Sequence, residues 1–197
     1  VAVLVSALAV LGFQWYRAFL QRVTDRVFFK ARYDARQTLL GLGQKLSETI
    51  DLERMLTLLT ETLRGTLKVS KVLVFLRDDE QKEFRPVGGT ERVATLTRLT
   101  EASALVRHLQ HTSGPIVRDE LALLLEQRGE QNAAEEIGDV RSSLAWLNVS
   151  FVLPLAVKGE LRGMLFLGDK LSGDPYSAED IELLTIIAPQ AATALEN

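Results

Sequence analysis

The pattern of apolar and polar residues divides the chain into helical and extended segments. After Asp51, apolar residues recur every three or four positions, which predicts an amphipathic helix with Asp51 accepting backbone N–H groups at its start. Residues 72–76 (VLVFL) form a continuous apolar run that ends before two aspartates, which predicts a central strand. Residues 84–87 (FRPV) predict its antiparallel partner. Pro86 favours an edge position in that strand because it has no N–H to donate.

The second half of the chain predicts several helices, a hairpin and a final helix. Three stripes of apolar residues at helical spacing fill the middle of the chain. Segments 151–157 and 161–167 are extended in pattern and flank Lys158-Gly159, a two-residue loop typical of a β-hairpin. Pro154 predicts an edge or a bulge in the first of these strands.

The final helix carries the clearest start signal and a regular apolar stripe. Ser177 lies three residues before Asp180, a spacing that predicts a capping box. The apolar residues that follow repeat at 3-4-3-4 spacing, as in a coiled coil, and a matching stripe precedes Asp51. We therefore predict a parallel homodimer. Its predicted interface consists of Leu39, Leu42, Leu46, Ile181, Leu184, Ala188, Ala191 and Leu195. The competing interpretation is that this stripe packs on the sheet of its own domain.

The beginning of the chain predicts attachment to a membrane. Its first thirteen residues carry no charge, whereas a complete span needs about 20 apolar residues, so length alone does not decide. Trp15 and Tyr16 follow at once, and a basic excess comes next, as on the cytoplasmic side of a span. We predict that residues 1–16 end a transmembrane helix, that 17–33 form a juxtamembrane helical linker, and that 34–197 form a cytoplasmic domain at the cell membrane. The alternative is an apolar helix that packs on the domain or on a second copy.

Composition excludes several classes of function. The chain is 47% hydrophobic and 25% charged, with a net charge of −3, so it lacks the basic excess of a nucleic-acid-binding protein. It contains no cysteine, which excludes disulfides, thiolate metal sites, cysteine nucleophiles and thioether-linked chromophores. His108 and His111 alternate with polar residues on one helix, and we predict no catalytic residue, no metal site and no cofactor.

The order of elements predicts an α+β fold, an antiparallel sheet with helices on both faces, preceded by a long N-terminal helix. The motifs VLPL, KGELRGML and LGDK within residues 152–170 resemble the closing hairpin of GAF domains. The motifs GDPYSAED, APQAA and ALEN within 173–197 are similar to their C-terminal helix. Residues 25–29 (DRVFF) with Tyr33 and Asp34 resemble the linker of membrane-bound, GAF-containing sensor histidine kinases.

The resemblance implies a non-catalytic signal-relay module of a two-component sensor kinase, transmitting through a dimeric helical bundle. It implies a last helix that continues into an output coiled coil, and a kinase domain in the same chain beyond Asn197. It also implies a ligand pocket, or its remnant, under the middle helices. The alternative hypothesis is a receptor for an unidentified small molecule. An enzyme is disfavoured because no nucleophile and base are recognisable.

One family comparison bears on the ligand. Members that bind cyclic nucleotides carry an Asn-Lys pair, a later Phe and an Asp-Glu pair. This chain has Asp169-Lys170, Tyr176 and Asp180-Ile181 instead. The partial match favours the structural Lys–Asp contact of the fold over nucleotide binding.

Overall fold

The computed structural model describes residues 34–43, 45–46, 51–90, 98–112, 114–127 and 131–196. The chain divides into two compact units, Val1–Gln37 and Thr38–Asn197. The predicted transmembrane and linker segments, 1–16 and 17–33, lie outside the described residues. Of the first unit, residues 34–37 are described and are helical. None of the helices in the described ranges is long and apolar enough to cross a bilayer.

The second unit has a mixed order of helices and strands. It begins with helix α1, residues 38–43 and 45–46. The further helices are α2 (Leu52–Leu67), α3 (Ala104–Thr112), α4 (Arg118–Gln127), α5 (Gln131–Leu147) and α6 (Ala178–Glu196). The strands are β1 (Val72–Asp78), β2 (Glu83–Gly89), β3 (Leu99–Thr100), β4 (Ile116–Val117), β5 (Phe151–Val157) and β6 (Glu160–Leu167). This order confirms the predicted α+β class.

The six strands form one antiparallel sheet in the order β3-β2-β1-β6-β5-β4. β1 is central, as predicted from its continuous apolar run. β3 pairs with Glu83 and Phe84 of β2, so Pro86 lies beyond that pairing even though β2 is not the outermost strand. Pro154 is accommodated in the same way, because β4 pairs with Phe151 and Val152 of β5. On the side of its strand that faces the sheet edge, neither proline is paired with a residue of another strand in the described sheet. Each proline therefore occupies a local edge position, as predicted, although neither β2 nor β5 is the outermost strand.

The turn between β5 and β6 has the predicted hairpin chemistry. Lys158 and Gly159 both have positive φ, 51° and 84°. Positive φ at both central residues matches the right-handed twist of the flanking strands, which is why such two-residue loops favour glycine. The sequence signal for this hairpin is therefore confirmed at the backbone level.

The two faces of the sheet carry separate hydrophobic cores. Successive residues of β1 alternate between them: Val72 and Val74 pack with α1, α2 and α6, while Leu73 and Phe75 pack with α3, α4 and α5. This alternation follows from the two-residue repeat of a strand. Helices therefore cover both faces, as the sequence predicted.

The stripe that was predicted as a dimer seam lies in the first of these cores. Seven of its eight residues are at most 8% exposed within the single chain: Leu39, Leu42, Leu46, Leu184, Ala188, Ala191 and Leu195. Ile181 is half-buried and packs against the same core. These side chains are covered by their own domain, so the competing interpretation accounts for the stripe. An interface between two copies would have to use side chains that these helices leave exposed.

Candidate functional site

The connection between β6 and α6 holds the densest set of polar contacts near the last helix. The carboxylate of Asp169, two residues after β6, accepts a hydrogen bond from Arg118 (Nη2 to Oδ1, 2.8 Å) and another from Ser150 Oγ. Arg118 is the first residue of α4, and Ser150 directly precedes β5. Asp169 therefore ties this connection to the helices that cover the second core.

The next residue, Lys170, binds the last helix. Its Nζ lies 2.5 Å from Oδ2 of Asp180, and the two side chains are only 16% and 18% exposed. The same Nζ lies 5.5 Å from the centroid of the Tyr176 ring, within cation–π distance. Asp180 belongs to the first turn of α6. We refer to Asp169, Lys170 and their partners Arg118, Ser150, Tyr176 and Asp180 as the Asp169–Lys170 clamp.

Asp180 also completes the predicted capping box. The N–H of Ser177 donates to Oδ2 of Asp180 (2.7 Å), and the N–H of Asp180 donates to Oγ of Ser177 (3.2 Å). Two backbone N–H groups that a helix start leaves without intrahelical partners are thus satisfied. The prediction is confirmed. The Asp180 carboxylate thus caps α6. Because it also binds Lys170, it connects the start of this helix to the residues that follow β6.

Tyr176 anchors the rest of the connection. It is 8% exposed, its hydroxyl donates to the carbonyl of Gly168 (2.6 Å), and its ring lies 4.9 Å from that of Phe151. The backbone of the connection is also bonded to the segment before β1, through Ser70 N–H to the Asp169 carbonyl (2.9 Å). The clamp is therefore bonded to the chain at the ends of the two central strands, β1 and β6.

The electrostatics of the clamp favour its charged form. The hydrogen bond from Ser150 lowers the pKa of Asp169; desolvation opposes this shift and the Arg118 charge reinforces it. Burial alone would raise the pKa of Asp180, but hydrogen bonds from Lys170 and Ser177 outweigh it, and the net pKa is lowered. Burial raises the pKa of Tyr176, and the nearby charges of Asp180 and Asp169 raise it further. At neutral pH the clamp thus consists of two ionised carboxylates and a neutral phenol.

A groove of about 440 Å³ opens beside the clamp. Its lining includes all of the clamp except Asp180, together with Val117, Asp119, Gly173, Asp174 and Pro175. The polar groups of Arg118, Ser150 and Asp169 bond to one another, and Tyr176 bonds to Gly168. Because these groups already have partners in the protein, a ligand in the groove would have to compete with the clamp.

The two histidines of α3, His108 and His111, contact a neighbouring helix and their own helix, respectively. Nδ1 of His108 lies 3.7 Å from Oε1 of Glu136, which links α3 to α5, and Nδ1 of His111 lies 2.7 Å from the Arg107 carbonyl of its own helix. Among the side chains that the structure describes, no group of three or more His, Asp and Glu is placed to hold a metal ion. These histidines therefore serve helix contacts.

Apolar side chains of the second core lie on the face under the middle helices. Phe75 and Phe166 meet edge to face there, with ring centroids 5.0 Å apart, and both are fully buried with Met164. The resemblance placed a ligand pocket or its remnant on this face. In the structure, the Phe75–Phe166 pair occupies part of that face.

Sequence patterns pointed to part of the clamp. Lys170, Tyr176 and Asp180 were singled out as the structural Lys–Asp contact, and the structure brings them together. Arg118 and Ser150 were missed, since Arg118 lies 51 residues from Asp169 and a single sequence gives no signal for such a pair. The sequence-predicted interface residues lie in the adjacent core and not in the clamp.

Comparisons with known proteins agree with this fold. The family model described as "GAF domain" matches residues 51–197. No curated protein sequence matches the chain. Among solved structures, the GAF domain of a phosphoenolpyruvate-protein phosphotransferase from Coxiella burnetii is similar, with a TM-score of 0.60 and 20% identity over 84% of this chain and 94% of that one.

Two further structures show how widely the fold is used. The GAF domain of a two-component sensor histidine kinase from Bacillus halodurans has a TM-score of 0.52 and 14% identity, covering 76% of this chain and 96% of that one. The free methionine-R-sulfoxide reductase from Neisseria meningitidis has a TM-score of 0.56 and 16% identity, covering 82% and 88%. At these identities the likeness establishes the fold, and function has to be argued from the site.

Proposed function

Since the chain belongs to the GAF domain family, we propose that it is the non-catalytic sensory and signal-relay module of a membrane-anchored two-component sensor kinase, acting as a homodimer. In this proposal residues 1–16 end a transmembrane helix, 17–33 link it to the cytoplasmic domain, and a kinase domain follows Asn197. No nucleic acid and no cofactor take part. The apolar and then basic start of the sequence supports the membrane attachment.

The observation that carries the relay function is the Asp169–Lys170 clamp. Two adjacent residues hold opposite faces of the sheet: Asp169 binds α4 through Arg118, and Lys170 binds α6 through Asp180. A displacement of α4 relative to the sheet would act on Asp169, and the backbone would pass it to Lys170 and the start of α6. Coupling of this kind needs a continuous chain of contacts between the two elements.

Hydrogen exchange in an Arg118→Met variant tests this coupling. The variant removes the link from α4 to Asp169 while leaving the Lys170–Asp180 pair and the capping box in place. We expect faster amide exchange not only around α4 but also in residues 169–184, because the first turns of α6 lose part of their support. Mass spectrometry of the deuterated 197-residue chain measures both regions.

Arg98→Met is the matched control for that experiment. Arg98 Nη1 lies 2.8 Å from Glu83 Oε1, the same separation as in the Arg118–Asp169 pair, but at the opposite edge of the sheet. This control should leave exchange in residues 169–184 unchanged. If Arg118→Met loosens α4 and leaves the start of α6 as protected as before, the clamp is not a relay.

The groove gives the receptor hypothesis a specific observation of its own. Its volume of about 440 Å³ is within the range of small-molecule sites, roughly 300 to 1,000 Å³. Native mass spectrometry of protein purified from its own host separates the two hypotheses. A constant added mass that the Asp169→Asn variant loses would favour a receptor, whereas bare protein would favour the relay.

Membrane attachment has an independent test. The full-length protein should stay in the membrane fraction after a high-salt wash, because salt screens surface charge but does not extract an apolar span. Release of the full-length protein by salt alone would contradict this part of the proposal.

A further inference from the structure

A buried lysine joins the end of α5 to the start of β1. Lys71 directly precedes β1 and is 9% exposed. Its Nζ donates a hydrogen bond to the carbonyl of Leu147, 3.1 Å away. Leu147 is the last residue of α5, and the last four carbonyls of a helix have no partner within the helix. Lys71 therefore caps α5 with a cation, which the partial negative charge at a helix C-terminus favours.

Two backbone hydrogen bonds shape the same end of α5. The N–H of Asn148 donates to the carbonyl of Ala145 (3.0 Å), and the N–H of Val149 donates to the carbonyl of Leu144 (3.0 Å). Asn148 has a positive φ of 52°, the left-handed conformation in which helices commonly end. The bond from Lys71 spans 76 positions of the sequence. It therefore adds a long-range contact to a helix end that local bonds already define.

The backbone of Lys71 continues the connection toward α6. The N–H of Gly168 donates to the carbonyl of Lys71 (2.9 Å), and the hydroxyl of Tyr176 donates to the carbonyl of Gly168 (2.6 Å). Tyr176 directly precedes Ser177, whose side chain caps α6. Three hydrogen bonds thus connect the end of α5 to the start of α6. We refer to the connected residues Leu147, Lys71, Gly168 and Tyr176 as the Lys71 bridge.

The middle of the Lys71 bridge is closely packed. A Cβ at Gly168 would clash with Oγ of Ser70 and would lie 3.0 Å from Cβ of Lys71. The two segments can approach this closely because residue 168 has no side chain. The N–H of Ser70 also donates to the carbonyl of Asp169 (2.9 Å). Because close-packed groups transmit strain, a displacement of Lys71 would be passed to Gly168.

From this geometry we propose that the Lys71 bridge is a second input to the relay, which couples the C-terminal end of α5 to the N-terminal end of α6. The inference rests on the proposed relay function. The clamp receives its input from α4 through Arg118, whereas the bridge receives its input from α5 through Leu147. α5 contacts both α3 and α4, so a movement of either helix acts on it. A displacement of α5 would therefore reach α6 even when Arg118 is replaced.

Hydrogen exchange in Lys71→Met and Tyr176→Phe tests the bridge from both ends. Lys71→Met removes the ammonium group but keeps an apolar side chain, and it changes no backbone donor or acceptor. We expect amide exchange to become about ten-fold faster or more in residues 144–149, and about two- to ten-fold faster in residues 176–184. Because coupling between two sites is reciprocal, Tyr176→Phe should also speed exchange in both regions.

Two controls separate this coupling from a general loss of stability. Amides of the central strand β1 report global unfolding and serve as the reference in every variant. Thr60→Val is the matched variant, because Thr60 is 7% exposed and its hydroxyl donates to the carbonyl of Leu56 within α2 (2.8 Å). Like Lys71→Met, it loses a hydrogen bond from a buried side chain to a helix carbonyl, but it lies outside the bridge. Relative to β1, it should leave residues 144–149 and 176–184 unchanged.

The Lys71 and Arg118 variants together distinguish failure of the bridge from failure of the relay. If Lys71→Met loosens residues 144–149 and leaves 176–184 unchanged relative to β1, the bridge is refuted, and Arg118→Met alone then decides on the clamp. In the double variant Arg118→Met/Lys71→Met, exchange in residues 176–184 should be faster than in either single variant, because two inputs are lost. An effect no larger than that of Arg118→Met contradicts a second input. If Lys71→Met does not fold, unchanged exchange of residues 144–149 in Tyr176→Phe refutes the bridge.

Discussion

Replacing Lys170 with Met should weaken the domain more than the loss of any exposed ion pair. The substitution keeps most of the side-chain volume but removes the ammonium group that lies 2.5 Å from Asp180. A hydrogen bond to a charged group is worth about 1.5 to 3 kcal/mol, and complete removal of one partner from a fully buried pair costs about 3 to 5 kcal/mol. Asp180 keeps two donors from Ser177, and the pair is partly exposed. We therefore expect a loss of about 2 to 3 kcal/mol in the free energy of unfolding.

Urea unfolding followed by circular dichroism at pH 7 measures this loss, and the double variant Lys170→Met/Asp180→Asn isolates the pair. Its destabilisation should be smaller than the sum of the two single losses by about 1 to 2 kcal/mol, because each single variant leaves a partner behind. The control Arg54→Met removes an exposed pair with Asp51 (3.6 Å), which is worth less than about 1 kcal/mol. A loss at Lys170 no larger than the loss at Arg54, or strict additivity in the cycle, would refute the reasoning.

Two further predictions concern the sheet and the buried phenol. Gly163→Ala should destabilise the domain by about 1 to 3 kcal/mol, because a Cβ there would lie 2.7 Å from the Phe75 carbonyl oxygen. The control is Gly65→Ala in α2, where a Cβ would meet nothing within 4 Å. This control should be neutral or stabilising in the same urea assay. The raised pKa of Tyr176 means that its contribution is complete below about pH 10, the pKa of an unfolded tyrosine, and is lost as pH rises further. Tyr176→Phe should therefore flatten the fall of stability between about pH 9.5 and 11, and parallel stability curves for the two proteins would contradict this.

Local signals in the sequence predicted those parts of the fold that depend on short stretches of chain. The Lys158-Gly159 hairpin follows from backbone conformations that two adjacent residues adopt. The start of α6 follows from two side chains three residues apart, Ser177 and Asp180. Central β1 follows from an uninterrupted apolar run, since such a strand must be covered on both faces. In each case the sequence feature and the physical cause lie within a few residues of each other.

The partner of an apolar stripe could not be predicted in this way. The spacing of Ile181, Leu184 and Ala188 shows that one face of α6 is covered, but a sheet and a second helix satisfy that requirement equally well. The structure shows that α6 also buries four residues outside the predicted seam, Leu183, Ile187, Ala192 and Ala194. Burial over so wide an arc is typical of a helix against a sheet and exceeds a narrow coiled-coil seam.

The expected strength of the clamp bears directly on whether it can act as a relay. Coupling between two sites in a protein is commonly 1 to 3 kcal/mol, which corresponds to a change of about 5- to 150-fold in an equilibrium. A clamp worth about 2 to 3 kcal/mol falls within this range, so making or breaking it could shift a two-state equilibrium of α6 by roughly 30- to 150-fold. An exposed pair such as Arg54–Asp51, at less than about 1 kcal/mol, could shift it by about five-fold at most. Because Lys170 and Asp180 are largely buried, their contact has enough free energy to shift the position of a helix. While the contact is formed, the same free energy holds the start of α6 in place.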